Sequence, residues 1–503
     1  MKVFLYFHFG ALFLMSLYGL YRLKLIYLWK AERDSAKRQV IKTPSLKRYA
    51  PVTIQLPIYN ERFVAQRLIN SVCRLSWPKT HLEIQVLDDS DDDTKFIVDS
   101  EVKKWRKMGF NINVIRRKTR TGYKAGALAH GLERATGDFI AIFDADFVPP
   151  RDFLKRTMPH FQDNRVGLVQ ARWGFLNEDT SWFTKIQAVF LSAHFGIEQF
   201  IRFRRGWFIN FNGTAGIWRK EVIVSAGGWQ ADTVTEDLDL SFRAQLKGWK
   251  AVYLDDLEVP SELPVTLTAL RSQQKRWAKG SIQTARKILP FLWASKATLS
   301  QKIEGTIHLT SNLGWLMGAI IFLSLYPTLI HRVDIGPSQI LRIDLPFFIL
   351  ATGATLYYFC FHERYGRGKR YRDMAKLFIF LPAFGLGLAP TVAIGVLEGL
   401  MRYGGEFVRT PKYGITASKM SWKRLLNYHQ GSWFNLAVDF GFFIYSFFPI
   451  VFAIKKGTYL ALPFLGVFCL GTILMLYRDL FDLLSRPSPP STKSITELSS
   501  KTQ

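Results

Sequence analysis

Asp138-Phe139-Ile140-Ala141-Ile142-Phe143-Asp144-Ala145-Asp146 is the stretch whose reading decides the fold. Residues 139–143 run without a polar interruption, as a strand buried on both faces of a parallel sheet does. The run then breaks into two carboxylates. Alternate residues of an extended segment point the same way, so Asp144 and Asp146 can offer oxygens to one point beyond the strand's carboxyl end. Open α/β sheets bind their ligands there. Two carboxylates at this spacing suit a hard divalent cation, Mg²⁺ or Mn²⁺, which keeps waters and takes further oxygens from a phosphorylated substrate. Solvated loop acids share the same spacing, so the motif alone leaves both readings open.

Outward from this strand, residues 52–57, 83–87, 111–115 and 166–170 also read as strands. Helical stretches near 61–75, 94–107, 123–135 and 150–162 alternate with them. Such alternation argues an α/β, doubly wound sheet, and residues 51–300 are long enough for one substantial domain around it.

The flanks are of another kind. Residues 4–21 form an apolar stretch of spanning length followed by Arg22, Lys24, Lys30 and Arg33. That order is the reverse of a cleaved secretory signal, so residues 1–29 read as an uncleaved anchor with its carboxyl end in the cytoplasm, and 30–50 as a basic linker. Further apolar segments occupy 307–330, 343–361, 374–400, 434–454 and 458–477. The formal charge of +27 accompanies 48% hydrophobic and 15% aromatic residues. Its basic residues crowd beside the apolar segments, which fits the positive-inside pattern of a multi-pass membrane protein rather than nucleic-acid binding. Loops 362–373 and 402–433 are both basic, yet would lie on opposite sides if 374–400 crossed once. Pro382, Gly385, Gly387 and Pro390 interrupt that segment, so a re-entrant or interfacial element is expected there instead of one plain span. The tail from Ser485 is expected to be disordered. Cys73, Cys360 and Cys469 match no disulfide or metal spacing.

Several motifs fall at strand ends of the same sheet. Pro57-Ile58-Tyr59-Asn60-Glu61 follows the first strand and Leu87-Asp88-Asp89-Ser90 the second; either is a ligand turn or a turn whose Asn, Asp and Ser serve only the backbone. Thr121-Gly122-Tyr123-Lys124-Ala125-Gly126 opens a helix, where Lys124 can meet a diphosphate and the glycines permit close backbone approach. Thr235-Glu236-Asp237 reads equally as a helix cap, with Thr235 the capping residue. Gln273, Arg276 and Trp277 share one helical face just before the membrane. There an indole can pack on a sugar ring and an arginine can neutralise phosphate, or the helix can simply anchor to headgroups. Gln170-Ala171-Arg172-Trp173 looks like a second copy, one residue short, and is assigned to packing.

Taken in order, Asp88-Asp89, Asp144-Ala145-Asp146, Thr235-Glu236-Asp237 and Gln273-x-x-Arg276-Trp277 resemble the D, DxD, TED and QxxRW series of processive family 2 glycosyltransferases, in particular the cellulose-synthase-like glucomannan and mannan synthases. Phe407-Val408-Arg409-Thr410-Pro411-Lys412 is similar to that family's gating motif FxVTxK, with Arg409 where cellulose synthases have valine, and Phe211-Asn212-Gly213-Thr214 is similar to its acceptor segment. The resemblance implies a GT-A (Rossmann-like) catalytic domain facing the cytoplasm, joined to a transmembrane helical bundle over 301–480 with a gating-type loop at 402–433. It further implies that Tyr59, Glu61, Asp88, Asp89, Lys124 and Asp144 serve the nucleotide, and that Asp144 and Asp146 hold Mg²⁺ or Mn²⁺. Asp237 is then the general base; Phe211, Asn212, Gly213, Glu236, Gln273, Arg276 and Trp277 serve diphosphate and acceptor; Phe407, Thr410 and Lys412 gate. The expected activity is inverting transfer of a hexose from UDP-glucose or GDP-mannose to a growing β-linked polysaccharide in the plasma or inner membrane. Non-processive glucosylation of a membrane lipid, and a nucleotide-sugar-binding scaffold without turnover, are the rival readings. No motif names a protein partner.

Overall fold

The computed structural model describes residues 2–38, 46, 48–332, 337–406, 409–415 and 432–484. Phe407, Val408, most of the 402–433 loop and the tail from Ser485 lie outside the described residues. Among the described residues one seven-stranded sheet organises the region from Val52 to Ser261, in the order β3-β2-β1-β4-β6-β5-β7. The strands are β1 Val52–Ile58, β2 Leu82–Asp88, β3 Asn111–Ile115, β4 Phe139–Ile142, β5 Val166–Phe175, β6 Gly216–Arg219 and β7 Lys250–Ser261. β3, β2, β1 and β4 run parallel. β6 is antiparallel to both β4 and β5, and β7 is parallel to β5. This is a GT-A-type mixed sheet, and the antiparallel β6 is its difference from a plain doubly wound one.

The uninterrupted apolar run of β4 has a direct cause. Ala141 and Phe143 pack with Ile54, Val86 and Phe153 on one face, while Ile140 and Ile142 pack with Leu128 and Trp218 on the other. All four are fully buried, and each large side chain contributes on the order of 2 kcal/mol by leaving water. The helix Tyr123–Arg134 covers the second face. Register then fixes the site: Gln55 pairs with Ile142 and Ile58 with Asp88, so the residues that follow β1, β2 and β4 emerge side by side.

Several boundaries differ from the sequence expectation. The 61–75 helix is confined to Ala65–Val72, and 150–162 splits into an α-turn at Phe153–Thr157 and a 3₁₀ stretch at Met158–Gln162 with Pro159 in its first turn. β5 runs on to Phe175 because β7 pairs with its second half. β7 itself escaped notice because Asp255, Asp256 and Glu258 interrupt its apolar pattern at a bulge, where the pairing jumps from Ala171–Leu254 to Arg172–Glu258. The basic linker does not begin at 30: the anchor helix continues unbroken from Lys2 to Arg38, its last turns being built of Lys, Ala, Glu and Arg, which favour helix.

Among the described residues six helices are long and apolar enough to cross a membrane by length and composition, one of them Leu377–Met401. That segment forms one continuous helix with Pro382 and Pro390 inside it, without the break its prolines and glycines suggest. Two of its glycines serve close approach: a Cβ at Gly387 would meet the Gly471 carbonyl oxygen at 2.4 Å, and one at Gly395 the Lys275 carbonyl oxygen at 2.5 Å. Early in the helix Phe384 packs on Phe183 and Phe190 of Trp182–Ala193; late in it Gly395 and Gly399 back onto Lys275 and Lys279 of Leu267–Ala294. Both ends therefore meet the unit that carries the sheet. The helix Leu267–Ala294 is also tied to the last two apolar helices by Arg271, whose guanidinium holds Asp439 at 2.7 and 2.8 Å and Asp479 at 2.7 Å.

Candidate active site

The cleft opens at the carboxyl ends of β1, β2 and β4. Lys124 stands in the first turn of Tyr123–Arg134, after a tight turn in which Gly122 and Tyr123 take φ of 71° and 48°. Its ammonium donates to Asp144 Oδ1 at 2.5 Å and to the Gly213 carbonyl at 2.9 Å. Burial, the largest influence on Lys124, opposes its charge, but Asp144 and Glu236 outweigh it and hold the group above its ordinary pKa. Asp146 is more enclosed: its Oδ2 accepts from Lys412 Nζ at 2.8 Å and from the Glu262 amide at 3.0 Å. Among the described residues no group of three or more His, Cys, Asp or Glu side chains forms a closed metal cage. The donor set is two hard carboxylates at the edge of an open cleft. That set fits Mg²⁺ or Mn²⁺ completed by water and phosphate oxygens, and not a structural zinc site.

Asp237 lies across Lys124 from Asp144. It sits in the first turn of Glu236–Leu246, where its Oδ1 accepts from the Leu238 amide at 2.8 Å. Burial, then the neighbouring Glu236, push its carboxyl up to about 7, against the pull of Lys124 and Arg276. A carboxyl so tuned is half in its basic form near neutral pH, as a general base requires. Gly213, at φ 78°, leaves room for it: a Cβ there would lie 2.9 Å from Asp237 Oδ2 and 3.3 Å from Lys124 Nζ. Thr235 occupies the cap position but makes no side-chain cap bond; its hydroxyl lies 3.2 Å from that of Thr284 on the long helix. Gln273, Arg276 and Trp277 line the far wall, together with Glu236 and Asn212. Burial lowers the pKa of Arg276, partly offset by Glu236, Asp237 and Asp144.

At the other end, Tyr59 and Asp89 line the cleft, and Asp89 is gripped by Arg117 through two bonds of 3.1 and 2.5 Å. Glu61 faces Arg409 at 3.1 Å. Burial first and Asp146 next raise its carboxyl to about 8, with Arg409 and Lys412 acting in opposition. Thr410 and Lys412 also line the cleft. Two expected ligands do not. Asp88 is 1% exposed and spends its carboxylate on Arg116 and the Ser90 amide, because it is the last residue of β2 and alternation turns it inward. Phe211 is fully buried against Trp218 and Trp229, so it supports Asn212 and Gly213 from below rather than touching an acceptor.

Sequence reasoning also missed cleft residues. Trp173, assigned to packing, lines the cleft with its ring centroid 6.4 Å from that of Trp277. Glu262, just beyond β7, accepts from Arg67 at 2.5 Å and from the Tyr413 and Gly414 amides at 3.2 and 3.0 Å. Recognising β7 would have exposed both, since β5 and β7 carry them to the same edge.

Residues 50–280 match the glycosyltransferase-like family 2. The chain is 46% identical over 262 residues to glucomannan 4-beta-mannosyltransferase 9 of Arabidopsis thaliana, covering 51% of this chain and 49% of that protein. It is 47% identical over 259 residues to glucomannan 4-beta-mannosyltransferase 1 of Oryza sativa subsp. japonica, covering 50% of each. The chain thus spans about half the length of the curated relatives it matches. Among solved structures it is similar to a mannosyltransferase of Pyrobaculum calidifontis in complex with GDP-Man and Mn²⁺, with TM-score 0.48 and 20% identity, covering 79% of this chain and 97% of that one.

Proposed function

We propose that this chain, whose residues 50–280 match the glycosyltransferase-like family 2, is a glycosyltransferase that transfers mannose from a nucleoside-diphosphate donor to the end of a β-1,4-linked mannan or glucomannan. The names of its relatives support the sugar and the linkage. The observation that carries the chemistry is a close grouping: Lys124 bonds both Asp144 and the Gly213 carbonyl, and Asp237 Oδ2 lies only 2.9 Å from where a Cβ at Gly213 would stand. It sets a cationic diphosphate cradle and a neutral-range base around a single small gap.

Asp144 and Asp146 would hold the divalent cation, which when bound neutralises charge on the departing diphosphate. Lys124 and Arg276 supply fixed positive charge to the same oxygens. Trp277 offers its face to the terminal acceptor sugar. Asp237 takes the proton of the attacking acceptor hydroxyl, which then displaces the diphosphate from the opposite side of the anomeric carbon, so an α-linked donor gives a β-glycoside. The six long apolar helices among the described residues support embedding in a membrane. The catalytic unit would face the cytoplasm, where nucleotide sugars are made, and the helix Leu377–Met401, touching that unit at both ends, would lie along the inner membrane surface. The product would leave through the bundle.

The test is product analysis of the full chain in nanodiscs with Mn²⁺ and GDP-mannose or UDP-glucose. A long product cut by β-1,4-mannanase is expected. A single sugar on lipid would end the polymer reading while leaving the assignments of Asp144, Asp146 and Asp237 intact.

A further inference from the structure

The nucleotide end of the cleft holds a side chain that the reaction above does not use. The guanidinium carbon of Arg120 lies 3.2 Å from the centroid of the Tyr59 ring and 5.5 Å from that of Tyr123. All three residues line the cleft. The Nε of Arg120 is buried without a hydrogen-bond partner. The backbone around it is fixed: the Arg120 carbonyl accepts from the Tyr123 amide at 2.9 Å, and Arg117 ties the loop through the Thr121 carbonyl at 2.7 Å and the Tyr123 carbonyl at 2.9 Å. Tyr59 is fixed as well, because its hydroxyl donates to Asp91 at 3.3 Å, and Asp91 is itself held by Asn60 Nδ2 at 2.6 Å. The Arg120 guanidinium itself is held by the two ring faces and by the charge of the nearby Asp91 carboxylate, with no hydrogen bond from its Nε.

Sheet order places this stack where a base must fall. With the diphosphate at Lys124 and Asp144, beyond β4, the ends of β1 and β2 lie one and two strand spacings away, roughly 5 and 10 Å. Those are the positions of Tyr59 and Asp89, within reach of a ribose and base. A tyrosine face is a stacking platform for any base, and a guanidinium plane stacks on the other side of one. Arginine carries donors only, in a fork. Guanine presents two adjacent acceptors, O6 and N7, that match such a fork, whereas a uracil-type ring presents O4 alone on that edge.

We propose that Arg120 is the residue that reads the donor's base, leaving the face of Tyr59 as the nucleotide enters and closing its fork on O6 and N7 of guanine. The inference rests on the nucleotide-sugar reading of this cleft and assigns the residue that would carry its choice of base. Arg120 acts only in binding, and its charge lies at the base end of the ligand.

The experiment is equilibrium binding of GDP, UDP and pyrophosphate, with Mn²⁺, to the full chain in nanodiscs, for the parent, Arg120→Ala and Arg120→Lys. The parent is expected to favour GDP over UDP by about tenfold or more, the order of discrimination a bidentate fork supplies. Both variants are expected to lose that preference while keeping UDP and pyrophosphate affinity. Lysine retains the charge but not the fork, so rescue by Arg120→Lys, or equal weakening of all three ligands, would make Arg120 a phosphate contact and overturn the inference. A GDP preference that survives in both variants would overturn it too, yet leave the glycosyltransferase reading standing. Failure of the parent to bind either nucleotide would overturn both.

Discussion

Replacing Gly213 by alanine separates the strain of a turn from the geometry of a base. Gly213 has φ 78°, in the left-handed region, where a Cβ costs about 1–2 kcal/mol. Its new methyl group would also stand 2.9 Å from Asp237 Oδ2, so the carboxylate must retreat by about 0.5 Å to reach the ordinary contact distance of 3.4 Å. A misplacement of about 1 Å costs on the order of 10²-fold in rate, so half of it costs about tenfold in kcat. Gly109→Ala is the control. Its φ of 84° imposes the same backbone strain, but nothing lies within 4 Å of the added Cβ, and it follows the Thr94–Lys107 helix away from the cleft. Thermal unfolding in nanodiscs should show similar losses for the two variants, while steady-state mannosyl transfer should fall about tenfold in Gly213→Ala alone. Full kcat in Gly213→Ala would refute the placement of Asp237 as base. An equal loss of kcat in Gly109→Ala would show that strain, not base geometry, sets the rate.

Because burial and Glu236 hold Asp237 near 7, its basic form is lost as pH falls, so kcat/KM should decline about tenfold per pH unit below that value. Asp237→Asn should abolish turnover and leave donor binding intact, which donor titration alongside the rate assay will check. Asp146→Asn should remove the Mn²⁺-dependent part of donor binding; a calorimetric Mn²⁺ response equal to the parent's would displace the metal from this carboxylate. Arg271→Met leaves Asp439 and Asp479 buried beside each other without their cation and should cost about 3–5 kcal/mol. An unchanged unfolding temperature would mean that the ion cluster ties nothing.

The parts of the site that were legible in the sequence share a physical origin. Asp144, Asp146, Tyr59, Asp89 and Lys124 follow apolar strands or open a helix, so periodicity alone brings them to one edge. Alternation also carries a one-residue ambiguity at Asp88 and Asp89: Asp88 ends β2, paired with Ile58, and Asp89, just beyond it, lines the cleft. Phe211 failed for a related reason, since a core aromatic beneath a ligand turn and an aromatic within it look alike in sequence. β6 is four residues long and β7 carries acids at its bulge, so neither leaves a periodic trace. With them went Trp173 and Glu262.

Glu262 shows what that omission concealed. Its carboxylate accepts from the amides of Tyr413 and Gly414, and its own amide donates to the same Asp146 oxygen that Lys412 holds. The segment 409–415 is thereby fastened by its backbone to β7 and by its lysine to the carboxylate assigned to the metal. That segment follows the helix Leu377–Met401, two of whose glycines back directly onto Lys275 and Lys279 of the helix bearing Arg276 and Trp277. Lys412 therefore meets the cleft through Asp146 and Glu262, while Arg276 and Trp277 meet it on a helix that Leu377–Met401 backs. The apolar helix thus backs the element that carries Arg276 and Trp277, a contact between distant segments that no single motif in the sequence conveys.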